Sequence, residues 1–291
     1  MEKSIPGWHP CFSPMAHFSV PRLHLPVARF CNIRCRYCSP WPDKSLPGGP
    51  RGRPGVASRA ISVEEALEIA RVYLESSPES VIGVAGPGDP LANLETFELF
   101  EAIKAEFPEA RLCLCTNGLE LPRHVGGLVE IGISALTVTV NAVRPEIGAK
   151  IYEWVAPLDG PVLRGEEAAE LLWERQREGM RLAAEAGIPV KVNTVLIPGI
   201  NDDHVVEVAK AVRAVGAILM NITPLIPAFD LSDVPRPSGR EVREAREACE
   251  PIIPQFRLCK QCRSDACGIP GRGDITCFSL IPGGGASCGV R

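Results

Sequence analysis

Long apolar runs are missing from this 291-residue chain, and none approaches the ~18 residues that a membrane span needs. The opening segment MEKSIPGWHPC has no apolar stretch of the kind a secretory leader carries, so export is not expected. A basic surplus is missing too. The formal net charge of −4 provides no broad positive field, and nucleic acid is not an expected partner. Low-complexity tracts are absent, as are repeats beyond a strand–helix rhythm. These absences leave a cytoplasmic protein with no membrane and no nucleic acid among its partners. The rest of the composition, 45% apolar and 23% charged, is that of a globular chain. Its length allows one large core or two modest domains.

What the chain does have is cysteine: twelve, with five histidines. Structural disulfides are rare in a reducing compartment. Clustered cysteines there are more often metal ligands or catalytic groups, although some serve as small buried apolar residues.

Residues 1–22 are irregular and proline-rich, and carry His9, Cys11 and His17. From residue 23 the pattern alternates. LHLPVARF reads as a strand with Leu23, Leu25 and Val27 on one face and His24 on the other. Residues 39–60 read as a long Pro/Gly/Arg loop. A helix follows, with Ser62 as N-cap and Glu65 completing a capping box. Strands are then expected at 81–87, 111–118, 135–143, 189–199 and 217–226, and helices at 93–107, 120–131, 165–186 and 202–215. A final helix starts near 238. Alternation of this kind implies right-handed βαβ units, giving an α/β fold built as a partial (β/α)6 barrel of the TIM type. The expected layout is an arm over 1–22, the barrel over 23–237, and a helix with a cysteine-rich tail over 238–291.

Cys31-Asn-Ile-Arg-Cys35-Arg-Tyr37-Cys38 is a C-x3-C-x2-C motif directly after the first expected strand. Three closely spaced thiolates can hold three irons of a [4Fe-4S] cubane and leave the fourth open. An open iron can chelate S-adenosylmethionine (SAM), whose reductive cleavage yields a hydrogen-abstracting carbon radical. Zinc is the plainer alternative, but zinc usually takes four ligands in two pairs. Ala85-Gly86-Pro87-Gly88-Asp89-Pro90 ends the next strand, where glycine permits close backbone approach to a ligand. Thr116, Asn117, Asn141, Asn193 and Asn221 fall near strand C-termini, the edge where parallel α/β folds place their sites. Cys113 and Cys115 lie two apart on one strand face. Cys259-x2-Cys262 is a further pair, with Cys267 nearby.

The motif, its aromatic Tyr37 and the strand–helix pattern behind it resemble the radical SAM superfamily. HPCFSPMAH, RLHLPVARFCNIRCRYC, RPGV, AGPGDPL, CLCTNGL, TVNAV with IGAKIY, KVNTVLIPGIND and CKQCRSDACG together resemble the NifB family of nitrogenase cofactor biosynthesis, in order and over nearly the whole chain. The resemblance is to the short form of that family, without a carrier domain.

This resemblance implies a lyase- or synthase-type enzyme. It would fuse two further [4Fe-4S] clusters around a carbide. One SAM would donate a methyl group and a second would yield the 5′-deoxyadenosyl radical. With an added sulfur, the product would be the [8Fe-9S-C] precursor of the iron–molybdenum cofactor. The resemblance also implies, as partners, nitrogenase cofactor carrier and scaffold proteins and a low-potential electron donor such as a ferredoxin. It assigns Cys31, Cys35 and Cys38 to the radical cluster, His24 and Cys113 to one substrate cluster, and Cys11, Cys259 and Cys262 to the other. Tyr37, Gly86, Gly88, Asp89, Thr116, Asn141 and Asn193 are the expected cofactor-binding residues. Cys267 is an added ligand candidate within reach of the last cluster. Family members commonly carry a cysteine six residues after the third motif cysteine, where this chain has Lys44. Two other readings stay open: a radical enzyme that modifies a peptide or small molecule, using the extra clusters as electron relays, and a non-enzymatic iron–sulfur carrier. His204 is expected on a solvated helix face, and Cys249 as a buried thiol.

Overall fold

In the computed structural model the chain is described over residues 5–39 and 55–280, so Lys44 and Cys288 lie outside the described residues. A short helix α1 (Pro14–His17) leads into β1 (Arg22–His24). The motif segment supplies β2 (Ile33–Cys35). Then α2 (Val63–Ser76), β3 (Val81–Val84), α3 (Leu94–Glu106), β4 (Arg111–Thr116), α4 (Leu121–Ile131) and β5 (Ala135–Thr139) follow the expected alternation. After α5 (Pro145–Ile151) and β6 (Tyr152–Val155), the rhythm resumes with α6 (Gly165–Glu185), β7 (Val190–Leu196), α7 (Val205–Ala214) and β8 (Leu219–Pro224). Helix α8 (Gly239–Cys249) and the strands β9 (Ala266–Ile269) and β10 (Arg272–Thr276) close the chain. No helix among the described residues is long and apolar enough to cross a membrane.

The main sheet runs β10-β9-β1-β3-β4-β5-β7-β8. The six strands from β1 to β8 are parallel, which makes the partial (β/α)6 barrel. Strand β9 joins the β1 edge antiparallel, and β10 pairs with it. The cysteine-bearing tail thus continues the sheet.

Period-2 alternation sorts the barrel strands into two faces. Leu23, Ile82, Val84, Leu112, Leu114, Leu136, Val138, Val190, Val192 and Met220 pack against the helices in one apolar core. The opposite parity points inward and is chemically different. It carries His24, Cys113, Cys115, Thr137, Thr139, Lys191, Asn193 and Asn221. The register sets Cys115, Thr137, Lys191 and Leu219 in one row and Thr139, Asn193 and Asn221 in the next.

Local signals explain most boundaries. Ser62 caps α2 by accepting from the Glu65 amide at 3.2 Å. The reciprocal half of the expected capping box is not made, because Arg59 takes the Glu65 carboxylate. A full capping box does form at Ser238 and Glu241, opening α8. The strand expected over 23–30 is only three residues long, since Pro26 interrupts the ladder. Beyond it the chain bridges to the loop after β3 at Ala28 and Pro87.

Candidate active site

The C-x3-C-x2-C segment is not a bare loop. Its residues 33–35 pair antiparallel with β6, and Cys38 N–H closes a turn onto the Cys35 carbonyl at 2.9 Å. Arg34 clasps Asp230 through two bonds of 2.9 Å and also pairs with Glu153. Cys31, Cys35 and Cys38 are half-buried and not in disulfides. Asn117 comes within 4.0 Å of the Cys31 sulfur and donates to Asn32 Oδ1 at 2.8 Å. Tyr37 OH accepts from Asn141 Nδ2 at 2.8 Å, which fastens the segment to the C-terminal end of β5. Burial pushes the Tyr37 phenol well up, so it stays neutral.

The glycine loop after β3 is zipped to the residues before Cys31. Gly88 N–H donates to the Ala28 carbonyl at 2.7 Å and Asp89 N–H to Phe30 at 2.8 Å. A Cβ on Gly88 would sit 2.0 Å from the Phe30 carbonyl oxygen, so only glycine permits this approach. Gly86 has φ +129, again a glycine conformation. Asp89, 3% exposed, accepts from Thr116 Oγ1 at 2.9 Å, from Asn117 N–H and from Leu91 N–H. Burial raises its carboxyl to about 6 against those bonds.

Inside the barrel a second set of groups gathers. Gly83 separates His24 from Cys113 in the register. A Cβ there would lie 3.0 Å from Cys113 Sγ and 3.3 Å from His24 Cδ2, so the two ligand-type side chains approach across the missing side chain. His24 Nδ1 faces the Arg263 carbonyl at 2.9 Å, an acceptor, which makes Nδ1 the donor and Nε2 the basic nitrogen.

The N-terminal arm packs Phe12 with Ala135, Ile218, Leu219 and Phe256 at the amino-terminal ends of β5 and β8, with Cys11, Cys113 and Cys259 alongside. Cys11 and Cys259 both act electrostatically on Cys262. Arg22 donates to the Cys262 sulfur at 3.3 Å. Burial raises the Cys11 and Cys113 thiols, and lifts Cys115 and Cys262 to about 11. Any metal bound by these thiols would have to displace their protons.

The sequence profile of the Radical SAM superfamily matches residues 25–212. The chain is similar to the FeMo cofactor biosynthesis protein NifB of Klebsiella pneumoniae, with 43% identity over 94% of this chain and 59% of that one. It is also 43% identical to the protein of the same name from Methanocaldococcus infernus, over 90% of this chain and 85% of that one.

The chain belongs to the NifB family.

Among solved structures, Streptococcus suis SuiB bound to S-adenosylmethionine superposes with a TM-score of 0.61 at 12% identity, covering 89% of this chain and 63% of SuiB. That likeness speaks to the fold alone. A [4Fe-4S] cluster and SAM come with the superfamily. The donor set fits the cluster, since three half-buried thiols stand on one clamped segment beside a glycine loop that admits close backbone approach. Among the described residues, no three His, Cys, Asp or Glu side chains converge as tightly as a single bound ion requires. A cubane presents separate irons to separate thiolates, which stand further apart.

Set against the NifB assignments, the structure brings together His24 with Cys113, and Cys11 with Cys259 and Cys262. It separates Cys267 from them. Antiparallel pairing of Leu23 with Cys267 turns that thiol to the helix side, where it is 1% exposed in the apolar core with Cys277. Asp89 and Thr116 are almost wholly buried and bonded to each other, so they brace two loops. Asn141, 0% exposed, is likewise committed to Tyr37 and to Val195 N–H. Asn193 faces inward and accepts from Asn221 at 3.0 Å.

His204 is buried instead of solvated, and its Nε2 accepts from Val143 N–H at 3.1 Å. Cys249 is buried in the helix-side core. Two braces escaped the sequence reading. Gln176 donates to the Asn117 and Thr139 carbonyls, and Asn201 to those of Asn141 and Val195. Cys259 also lines a cleft of about 470 Å³ whose walls include Arg236, Arg243, Arg246 and Arg257.

Proposed function

We propose that this chain carries out the carbide-forming step of nitrogenase cofactor assembly. It would join two [4Fe-4S] substrate clusters with a SAM-derived carbon and an added sulfur into an [8Fe-9S-C] precursor. One observation carries the reading: two separate donor groups share one barrel, the radical motif at the strand C-termini and the His/Cys set in the interior below it.

Cys31, Cys35 and Cys38 would hold the resident cluster, which with SAM supplies a hydrogen-abstracting radical and a methyl donor. Tyr37 and Asn141 position that segment. Gly86 and Gly88 admit a ligand's close approach to the loop, which Asp89 and Thr116 brace. His24 and Cys113 would hold one substrate cluster, and Cys11, Cys259 and Cys262 the other. So few ligands leave most irons unwrapped, which suits cargo that must depart. A ferredoxin-like donor and cofactor carrier proteins are the proposed partners.

The test is anaerobic reconstitution with iron and sulfide, then addition of SAM carrying a 13C methyl group and of dithionite. Wild type is expected to yield 5′-deoxyadenosine and S-adenosylhomocysteine, and to place 13C in a releasable cluster. C31A is expected to yield no 5′-deoxyadenosine, and C262A to cleave SAM without delivering labelled cluster. Cleavage without 13C transfer in the wild type would sink the proposal.

A further inference from the structure

Lys191 stands on the inward face of β7 and is 3% exposed. Its ammonium donates to the Cys11 carbonyl at 3.2 Å and lies 5.4 Å and 5.5 Å from the ring centres of Phe12 and Phe256. Among the described residues no carboxylate pairs with it. One carbonyl and two aromatic faces offset only part of the cost of burying a cation. An ammonium has three donors, so one bond to protein leaves capacity for more. Its charge acts on Cys11, Cys113 and Cys115 together, which places it amid the interior thiols.

His9 adds an independent observation. The ring is 3% exposed, and its Nδ1 accepts from Cys11 N–H at 3.0 Å. In the neutral ring the proton then sits on Nε2, a buried atom with no protein acceptor. That tautomer prevents ligation of iron through Nε2 and leaves a donor. The floor of the barrel therefore offers a cation and an N–H, both under-used by protein and both beside Cys11. A cubane bound by three thiolates is net anionic, more so when reduced, and its sulfides accept hydrogen bonds.

We propose that Lys191 is the counter-ion of the iron–sulfur cargo at Cys11, Cys259 and Cys262, and that it retains this cargo by charge, with His9 as an added donor. The proposal rests on the reading of those three cysteines as cargo ligands. The plainer role for Lys191 is to pin the N-terminal arm through the Cys11 carbonyl, and a neutral donor would do that equally well.

The test compares wild type, K191R, K191Q and K191M after anaerobic reconstitution. The readouts are iron per chain, the midpoint potential of the Cys11-site cluster by EPR-monitored titration, and the rate of iron loss to a ferrous chelator. K191R is expected to match wild type. K191Q keeps a donor for the carbonyl but loses the charge. With K191M, it is expected to show a more negative potential and about tenfold faster iron loss. K191Q behaving as wild type in both readouts would overturn the proposal. C262A serves as the separate control. If it retains wild-type iron content and spectra, the underlying ligand reading fails, whatever Lys191 does.

Discussion

Asp89 illustrates how single residues set the site. Its carboxyl rises from 3.8 to about 6 chiefly through burial, so the folded chain binds the extra proton between those values. Folded stability from this group is then fully present below about pH 4 and is lost as pH rises through about 6. The swing is at most roughly 3 kcal/mol. Denaturant unfolding of the iron-free protein is expected to show this decline in wild type and not in D89N. A parallel pH dependence in both proteins would place the titration elsewhere.

The same residue shows what sequence could and could not say. Asp89, Thr116 and Asn141 have the right chemistry at the right strand edge to be read as ligands. Burial and mutual bonding, which no motif encodes, make them braces. Strand parity set His24 opposite the apolar face of its strand and Cys113 on one face with Cys115, but only the family resemblance marked the two as ligand candidates. The face of Cys267 was not legible, because it depends on the antiparallel pairing of β9 with β1, and the Gly/Arg-rich stretch around β9 and β10 gives no strand signal.

At the scale of elements, the parallel strands and their helices were readable from alternation between periods 2 and 3.6. The inserted α5 and β6 were missed: α5 is a seven-residue helix, and β6 forms its ladder with the motif segment, apart from one bridge of Val155 to Leu163. Their placement nonetheless matters, since β6 gives β2 its partner. Gly83 tests the coupling of strand geometry to the interior set. Gly83→Val would push into Cys113 and His24, already at 3.0 Å and 3.3 Å from a bare Cβ. The reconstituted variant is expected to hold about four fewer irons, one cubane, with unchanged helical circular dichroism. Full iron content in G83V would argue that His24 and Cys113 hold no cluster.

For the whole molecule, the tail's attachment is decisive. Asp265, 0% exposed, accepts from Ser58 N–H at 2.9 Å and from Arg263 at 2.7 Å, and it anchors the segment that carries Cys259 and Cys262. Gly55 N–H donates to the Cys262 carbonyl at 3.1 Å from the same side. D265A removes the buried carboxylate that accepts from Ser58 and Arg263, at a cost of about 1–3 kcal/mol. Hydrogen exchange is expected to quicken over residues 259–269 while β4 and β5 stay protected. Uniform quickening across the sheet would mean that the tail is integral to global stability.

Cys11 and the Cys259/Cys262 pair come from segments nearly the whole chain apart, yet they meet at one place. A ribosome delivers Cys11 about 250 residues before Cys259 and Cys262. The three thiols therefore cannot meet until residues 259–262 have emerged, whereas the 31–38 segment emerges early. On the proposed reading, iron delivery to the two places would be separated in time.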